Sequence, residues 1–367
     1  MSEPSVLTEE NGSARSLILN RPKSINAIDH EMVGLMAEHL AAWAADDAVE
    51  AVVLSGAGER GLCAGGDIVA IHRDASALSG NPESTDRDAE QSPSARFWFD
   101  EYRLNALISG YPKPYVAIMD GIVMGGGVGL SAHGSHRVVT ERTKLAMPEV
   151  GLGFFPDVGG TYLLSRSPGE IGTYFGLTGT TMNGPDAIYA KFADAVVPSA
   201  KLPALREALT KVAPRSSSAE IDRLIAGFAT GEKSGPVAAM QAKIDGWFAR
   251  GRMEDIVAAL TADGSDLAQA TLKTLGEKSP RGMVVTLKLL RLARATATLE
   301  ECLVREYRAA LEVFASDDFR EGVRAAVIDK DRNPKWSPPE IEDVTAEMLA
   351  PYFAEIGADE LKFPDSK

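Results

Sequence analysis

Short apolar segments alternate with amphipathic segments through the first half of the chain. Residues 16–20 and 51–56 are apolar and partly β-branched, which is typical of buried strands. Between them, residues 28–47 carry apolar side chains at helical spacing, and Asp29 is placed to cap the start of that helix. The same order returns with a helix over 95–109 and a strand over 115–120. We therefore predict an α/β fold that winds as a spiral of strand-and-helix units, each with a right-handed crossover.

The second half of the chain has a different pattern. From Ser199 onward nearly every segment has helical periodicity, including one long predicted helix over 298–318. We therefore predict two domains, a core over 1–198 and a helical C-terminal region over 199–367. Residues 74–95 are polar and without a period, so we predict a mobile surface insertion or a lid there.

Two glycine-rich turns follow predicted strands. Met124-Gly125-Gly126-Gly127 comes after the strand over 115–120, and residues 56–67 contain a second turn, Ala64-Gly65-Gly66-Asp67. A helix that begins in such a turn directs free backbone N–H groups at whatever lies there. The first turn therefore predicts an anion site built from backbone donors, and the second turn is a place for a further donor.

Two acidic residues stand in apolar, glycine-rich surroundings. Glu149 lies in AMPEVGLG and Asp157 lies in FFPDVGG. A carboxyl group with little solvation has a raised pKa and is available as an acid, a base or a nucleophile. Backbone donors for a developing oxyanion, together with two such carboxyls, indicate acyl transfer.

Each candidate also has a plainer interpretation. Asp157 suits an N-cap for the helix that starts near residue 158, and Glu149 suits an ion pair with Arg142 or Lys144. Glu101, on the predicted helix over 95–109, suits an exposed helix face. Residues 127–132 match the dinucleotide pattern G-x-G-x-x-A, but six residues separate this pattern from its strand.

Two other kinds of site are disfavoured by the sequence. His133 stands where a serine-hydrolase elbow needs glycine, which argues against a serine nucleophile. The five histidines show no ligand spacing with carboxylates or cysteines, so we predict no metal site.

Composition indicates which binding partners are disfavoured and in which cellular compartment the protein is expected. The 367 residues carry a net charge of −14, which argues against nucleic acid or an anionic membrane as a general partner. The two cysteines, Cys63 and Cys302, lie far apart and indicate a reducing compartment, with Cys63 as a small buried filler. The N-terminal residues lack the pattern of a secretory signal and no apolar stretch is long enough to span a membrane, so we expect a cytoplasmic protein.

Several motifs together resemble one enzyme family. LNRPKSINA, AGGDI, MGGGVGLS and AMPEVGLGFFPDVGG, in this order and spacing, resemble the enoyl-CoA hydratase/isomerase (crotonase) superfamily across residues 5–198. FPDVGG, the EY-x-LN pattern around Glu101, LEECLVREYR and DFREGVRAAVIDKDRNPKW are closest to its 3-hydroxyisobutyryl-CoA hydrolase branch and extend the match to Trp336. The resemblance implies a crotonase-like spiral of ββα units and a CoA thioester substrate, without a metal or a redox cofactor.

The resemblance also implies roles for individual residues. The backbone N–H groups of Gly66 and Gly126 match the oxyanion hole, and Glu149 matches a glutamate that hydratases and hydrolases share. Asp157 matches the hydrolase aspartate, and Glu101 matches a glutamate that contacts substrate. Where hydratases carry their second catalytic glutamate, this chain has Gly129. This departure favours a hydrolase over a hydratase.

The expected activity is hydrolysis of a 3-hydroxyacyl-CoA, namely 3-hydroxyisobutyryl-CoA of valine breakdown. The expected partner is this small-molecule acyl-CoA substrate, with no nucleic acid and no membrane, and the chain is a candidate homo-oligomer. An enoyl-CoA hydratase or isomerase and a non-catalytic acyl-CoA binding protein are the alternatives. The sequence does not decide whether Glu149 is the nucleophile or the general base.

Overall fold

A computed structural model describes residues 3–79, 92–212 and 218–364 of the chain. These residues divide into two compact units, each assembled from separate stretches of sequence. Unit 1 comprises Met1–Gly66, Arg103–Ala146 and Thr181–Ala239, and unit 2 comprises Asp67–Tyr102, Met147–Thr180 and Met240–Lys367. Both units draw on residues from each side of position 198. The division of the chain at residue 198 into a core and a C-terminal domain stays a prediction.

Unit 1 contains a six-stranded sheet in which the strands lie side by side in the order of the chain. Its strands are β1 (Val6–Asn11), β2 (Ala14–Leu19), β3 (Ala51–Gly56), β5 (Tyr115–Met119), β7 (His136–Val139) and β9 (Ala195–Val196). The β1–β2 pair is antiparallel and every other pair is parallel. Strand β5 is buried along its whole length, as expected for a central strand covered on both faces.

A three-stranded parallel sheet, also in unit 1, accounts for the ββα repeat. Its strands are β4 (Gly61–Cys63), β6 (Ile122–Met124) and β8 (Lys144–Ala146). Each of them follows a strand of the six-stranded sheet, and a helix or helical turn comes next. The α/β spiral fold is confirmed, although strands of three residues are too short to give a sequence pattern of their own.

The helices of unit 1 bury one face against its sheets. Helix α1 (His30–Ala44) buries Met32, Met36, Leu40 and other apolar residues at helical spacing. Asp29 caps this helix as predicted, because its carboxylate accepts a hydrogen bond from the Met32 N–H at 3.0 Å. The unit's other helices are α4 (Gly126–Ser131), α7 (Gly184–Tyr189), α8 (Leu202–Thr210) and α9 (Ser218–Ala226).

Unit 2 consists mainly of helices around an aromatic core. Those within it are α2 (Ile68–Ser79), α5 (Gly160–Ser165), α6 (Ile171–Thr178), α11 (Met253–Asp263), α12 (Asp266–Leu275), α13 (Pro280–Arg294), α14 (Leu299–Ala315), α15 (Asp317–Val323) and α16 (Ala346–Leu349). Helices α3 (Pro93–Ser109) and α10 (Pro236–Phe248) each cross from one unit to the other along the chain. Trp98 stacks on Phe154 and meets the edge of Phe314, with ring centroids 5.6 Å apart in both pairs.

The predicted helical region is confirmed, since after Val196 the described residues contain helices and no strand. One boundary in this region was wrong. The helix predicted over 298–318 ends at Ala315, because the Ser316 hydroxyl accepts a hydrogen bond from the Phe319 N–H and starts helix α15. A serine at such a position stops one helix while capping the next.

The prediction of a mobile segment over 74–95 was wrong at both ends. Residues 74–79 belong to α2 and residues 93–95 belong to α3, and Asp74 accepts hydrogen bonds from the Ser94 N–H and hydroxyl at 2.9 and 2.6 Å. Polar side chains obscured the period, although Ala75 is buried. Residues 80–91, the remainder of the predicted insertion or lid, lie outside the described residues.

Candidate active site

The two glycine-rich turns of unit 1 lie next to each other. Strands β4 and β6 are parallel neighbours, and each leads into one of the turns. A Cβ atom added at Gly65, where φ is +106°, would lie 3.3 Å from the Met124 carbonyl oxygen and 3.7 Å from the Gly126 nitrogen. Such a close approach of two backbones requires a glycine with a left-handed φ.

Gly66 and Gly126 lie within these neighbouring turns. Gly126 is the first residue of α4, so its N–H has no acceptor within the helix. A Cβ at Gly127 would lie 2.8 Å from the Cβ of Cys63, which is buried, so position 127 has room only for a glycine. The assignment of Gly66 and Gly126 to an oxyanion hole stays a prediction.

Unit 2 brings together four buried carboxyl groups, which we call the carboxyl cluster: Glu101, Glu149, Asp157 and Glu306. Glu101 lies on α3, Glu149 starts the 3-10 turn Glu149–Leu152, Asp157 lies in the loop before α5, and Glu306 lies on α14. Their exposed fractions are 2%, 8%, 7% and 0%. Among the described residues, none of the four forms an ion pair with a lysine, an arginine or a histidine within 4.0 Å.

Because these carboxyl groups are buried and have no cation beside them in the described residues, their pKa values are raised. Desolvation, followed by repulsion from Asp157, raises the pKa of both Glu101 and Glu149 well above the usual range. Desolvation also raises the pKa of Asp157 to about 7 and that of Glu306 to about 8, although hydrogen bonds to both carboxylates oppose the shift. Protons therefore bind to this cluster near neutral pH, the range in which a carboxyl serves as an acid or a base.

Asp157 is held by its side chain and does not cap the following helix. Its Oδ2 accepts a hydrogen bond from the Tyr102 hydroxyl at 2.7 Å. Helix α5 begins after Gly159, and no side chain at that N-cap position bonds to the helix. The plainer interpretation of Asp157 as a helix cap was therefore wrong.

The plainer interpretations of the two glutamates were also wrong. Arg142, a candidate ion-pair partner for Glu149, pairs instead with Asp120 at 3.2 Å. Glu149 Oε2 and Glu101 Oε1 are both buried, and neither has a hydrogen-bond partner within the described part of the chain. Glu101 is not on an exposed helix face. Buried carboxyl oxygens without a protein partner are expected where a ligand or water completes the hydrogen bonding.

Sequence reasoning missed Tyr102 and Glu306. Tyr102 is fully buried beside Glu101, and Glu306 accepts hydrogen bonds from the turn that follows Asp157. A signal for Glu306 exists in the periodicity of α14, since Glu306 falls on the same face as the buried Cys302 and Ala310. A glutamate on the apolar face of a helix is a candidate for function, because charged side chains are seldom fully buried without a partner.

Residues 3–79, 92–212 and 218–364 contain neither a cluster of metal ligands nor a membrane-spanning helix. No group of three or more His, Cys, Asp or Glu side chains in these residues is arranged to hold a metal ion. No helix there combines the length and the apolar composition needed to cross a membrane.

A family model described as enoyl-CoA hydratase/isomerase matches residues 14–353. The chain is also similar to curated 3-hydroxyisobutyryl-CoA hydrolases. The mitochondrial protein of Rattus norvegicus is 40% identical, with 98% of this chain and 91% of the rat chain covered. The mitochondrial protein of Homo sapiens is 38% identical, with 98% and 90% covered. 3-Hydroxyisobutyryl-CoA hydrolase 1 of Arabidopsis thaliana is 38% identical, with 99% and 95% covered.

Solved structures show the same fold under other names. A carnitinyl-CoA dehydratase from Mycobacterium thermoresistibile is 45% identical, with a TM-score of 0.89 and 100% of both chains covered. An enoyl-CoA hydratase from Rhodobacter sphaeroides is 38% identical, with a TM-score of 0.85 and 98% of this chain and 100% of the other covered. These relatives carry the names of two reaction types, thioester hydrolysis and the addition or removal of water.

Proposed function

Because the chain belongs to the enoyl-CoA hydratase/isomerase family, we propose that it is an acyl-CoA thioester hydrolase that acts on 3-hydroxyacyl-CoA. The substrate that we propose is 3-hydroxyisobutyryl-CoA, which water converts into 3-hydroxyisobutyrate and CoA in valine breakdown. The observation that carries the proposal is the burial of Glu101, Glu149 and Asp157 together without a cation. Near-full-length similarity to proteins named 3-hydroxyisobutyryl-CoA hydrolase supports it.

We assign the polarisation of the thioester to backbone donors. In this assignment the N–H groups of Gly66 and Gly126 donate to the thioester oxygen. Negative charge grows on that oxygen as the carbonyl carbon becomes tetrahedral, so fixed donors stabilise the transition state more than the ground state. Losing one such donor typically reduces kcat by ~10²–10³-fold.

We assign the central chemical step to Glu149 by one of two routes. As a nucleophile, its carboxylate attacks the carbonyl carbon, the C–S bond breaks, and water then hydrolyses the mixed anhydride. As a general base, it takes a proton from a water molecule whose oxygen attacks the same carbon. The departing thiolate receives a proton in both routes. The Oε2 atom of Glu149 supports either role, because no hydrogen bond from the described residues would have to break first.

We assign recognition of the 3-hydroxyl group, and proton handling, to Asp157 and Glu101. A hydroxyl can donate to one carboxylate and accept from a protonated one. Burial raises the pKa of Asp157 to about 7 and raises that of Glu101 well above its usual range, which favours the protonated form of each. A thioester without the hydroxyl would leave a buried carboxyl unpaired, which gives strong discrimination. The reaction needs only the thioester and water, so the proposal includes no cofactor.

A second candidate is an enoyl-CoA hydratase or dehydratase, which the names of the two solved structures favour. Gly129 argues against it, since this position would have to supply the second catalytic glutamate.

Cytoplasmic location also stays a prediction, and the animal relatives are described as mitochondrial.

The deciding experiment measures thiol release and enoyl absorbance in parallel. The protein is incubated with 3-hydroxyisobutyryl-CoA, isobutyryl-CoA and crotonyl-CoA. We expect rapid thiol release from the first, much slower release from the second, and no loss of enoyl absorbance with the third. Loss of crotonyl-CoA absorbance without thiol release would establish the hydratase instead, and saturable binding without turnover would establish a binding protein.

A further inference from the structure

Glu306 is a fully buried glutamate, and both of its carboxyl oxygens accept hydrogen bonds from one turn of the chain. Its Oε2 accepts a hydrogen bond from the Gly159 N–H at 2.7 Å, and its Oε1 accepts from the Thr161 N–H at 3.0 Å and from the Thr161 hydroxyl. Each of these groups donates to a carboxyl oxygen of Glu306, so both oxygens of the side chain act as acceptors.

The hydrogen bonds to Glu306 take the place of a side-chain N-cap, which α5 lacks. The N-cap residue is Gly159, which has no side chain, so the first N–H groups of the helix need an acceptor from elsewhere in the sequence. Glu306 supplies it from 145 and 147 residues away. The first turn of α5 is therefore fixed to α14.

The fixed turn comes directly after Asp157 and has a strained backbone. Val158 has φ of +53° and Gly159 has φ of +77°. A β-branched residue with a positive φ is disfavoured and persists where the surroundings hold it. The Asp157 carbonyl accepts a hydrogen bond from the Gly160 N–H at 2.6 Å, which makes Asp157 part of the same turn.

Helix α14 also supports the side chain of Asp157. The Tyr102 hydroxyl bonds to Asp157, and the Tyr102 ring packs edge to face against Tyr307 with centroids 6.3 Å apart. Glu306 thus restrains the backbone after Asp157, while its neighbour Tyr307 packs against the residue that orients the carboxylate.

We propose that Glu306 is a positioning residue that acts through Asp157 by holding the turn over residues 157–161. The inference rests on the proposed function for its effect on turnover, and its structural part is independent of that function.

The test is a double-mutant cycle with Glu306→Gln and Asp157→Asn. Glutamine keeps the shape of the side chain but turns an NH₂ group toward a backbone N–H, so one cap bond is lost. We expect kcat for 3-hydroxyisobutyryl-CoA to fall by ~10- to 100-fold with KM within ~2-fold. In the Asp157→Asn background the same change should reduce kcat by no more than ~2-fold, because the group it positions is already disabled.

The matched control is Glu170→Gln, which alters another buried glutamate of unit 2. Its effect on kcat should be small and equal in both backgrounds. If Glu306→Gln does not fold, Glu306→Asp replaces it in the cycle, since this change keeps a carboxyl group and withdraws it by one methylene.

Amide hydrogen exchange separates this inference from the proposed function. Exchange in the peptide covering 157–161 should rise at least ~10-fold in Glu306→Gln and stay at the parent rate in Glu170→Gln. If the parent releases no thiol while this exchange rises, the proposed function fails and the positioning role stands. Unchanged exchange with parental kcat, or an equal kcat loss in both backgrounds, would overturn the inference.

Discussion

Unit 2 buries glutamates in two contrasting ways. Glu170 is 5% exposed and pairs with Arg291 and Arg294 at 2.9 and 2.6 Å. Burial alone would raise the pKa of Glu170, but hydrogen bonds from Arg294, Thr173 and Arg291 lower it below the usual value. We call this group the Glu170 ion cluster. In the carboxyl cluster no cation of the described residues lies within ion-pair distance, and the pKa of every member is raised.

The presence or absence of a paired cation separates buried carboxyls that stabilise the fold from those that are available for chemistry. A carboxylate with paired cations keeps its charge and stabilises its surroundings, provided both partners remain. A carboxyl with no cation costs stability and is retained where its proton affinity is useful. Burial by itself does not distinguish the two groups.

The largest effect is expected from Glu149→Gln. The amide preserves the shape of the side chain and removes the nucleophile or base, so kcat for 3-hydroxyisobutyryl-CoA should fall by ~10³-fold or more. The melting temperature at pH 8 should equal or exceed that of the parent, because an unpaired buried carboxyl has been removed. Steady-state thiol release and thermal unfolding measure the two outcomes. Turnover within a few-fold of the parent would contradict the role of Glu149.

Asp157→Asn should have the next largest effect. Asn can still accept the Tyr102 hydrogen bond, so the melting temperature should change little, while hydrolysis should fall by at least ~10²-fold. Comparing 3-hydroxyisobutyryl-CoA with isobutyryl-CoA sharpens the prediction. A reduced preference for the hydroxylated substrate would show that Asp157 recognises the hydroxyl, and an equal loss on both would assign it to the water or the leaving thiolate.

The carboxyl cluster should also make stability fall as pH rises. Its members have folded pKa values above their unfolded values, so the folded protein binds more protons than the unfolded chain between these values. The contribution of these carboxyls to the free energy of unfolding is fully present below their unfolded pKa values. It is lost as the pH rises through their folded pKa values, which are about 7 for Asp157 and about 8 for Glu306.

Thermal unfolding at a series of pH values between about 5.5 and 8.5 measures this effect. The parent's melting temperature should decrease across the range, and Glu149→Gln and Asp157→Asn should make the decrease shallower. Parallel curves for the parent and both variants would contradict the assignment of the pH dependence to this cluster.

The smallest effect on activity is expected from Glu170→Gln. Two partly exposed arginines lose their partner, so the free energy of unfolding should drop by ~1–3 kcal/mol. Thiol release per folded molecule should stay within ~2-fold of the parent. Chemical denaturation and active-site titration measure these outcomes, and a large loss of kcat without loss of stability would remove the distinction between the clusters.

Much of the fold follows from local pattern. The strands over 51–56 and 115–119 and the Asp29 cap were predictable, because apolar runs and caps involve neighbouring residues. Strands β4, β6 and β8 were not, since three residues cannot display a period. The ββα arrangement was available only from the resemblance to a known family.

Residues of the candidate site were predictable where their neighbours in the sequence indicate their environment. Glu149 and Asp157 stand among apolar residues and glycines, so their low solvation was visible in the sequence. The face on which Glu101 lies was not visible, because its helix is largely buried. The periodicity of α14 places Glu306 on a buried face, but its partners lie 145 and 147 residues earlier, a pairing that only the folded chain reveals.

The most direct test of the central claim is the titration of the side-chain carboxyl carbons by NMR, with ¹³C-labelled aspartate and glutamate. Single substitutions at Glu149, Asp157, Glu306 and Glu170 assign the signals. The Asp157 and Glu306 carboxyls should titrate with pKa values of about 7 and about 8, and the Glu149 carboxyl should titrate above its usual range. Each signal should be lost in the matching variant, whereas the Glu170 signal should titrate below its usual range. Titration of every assigned carboxyl below about pH 5 would contradict the central claim.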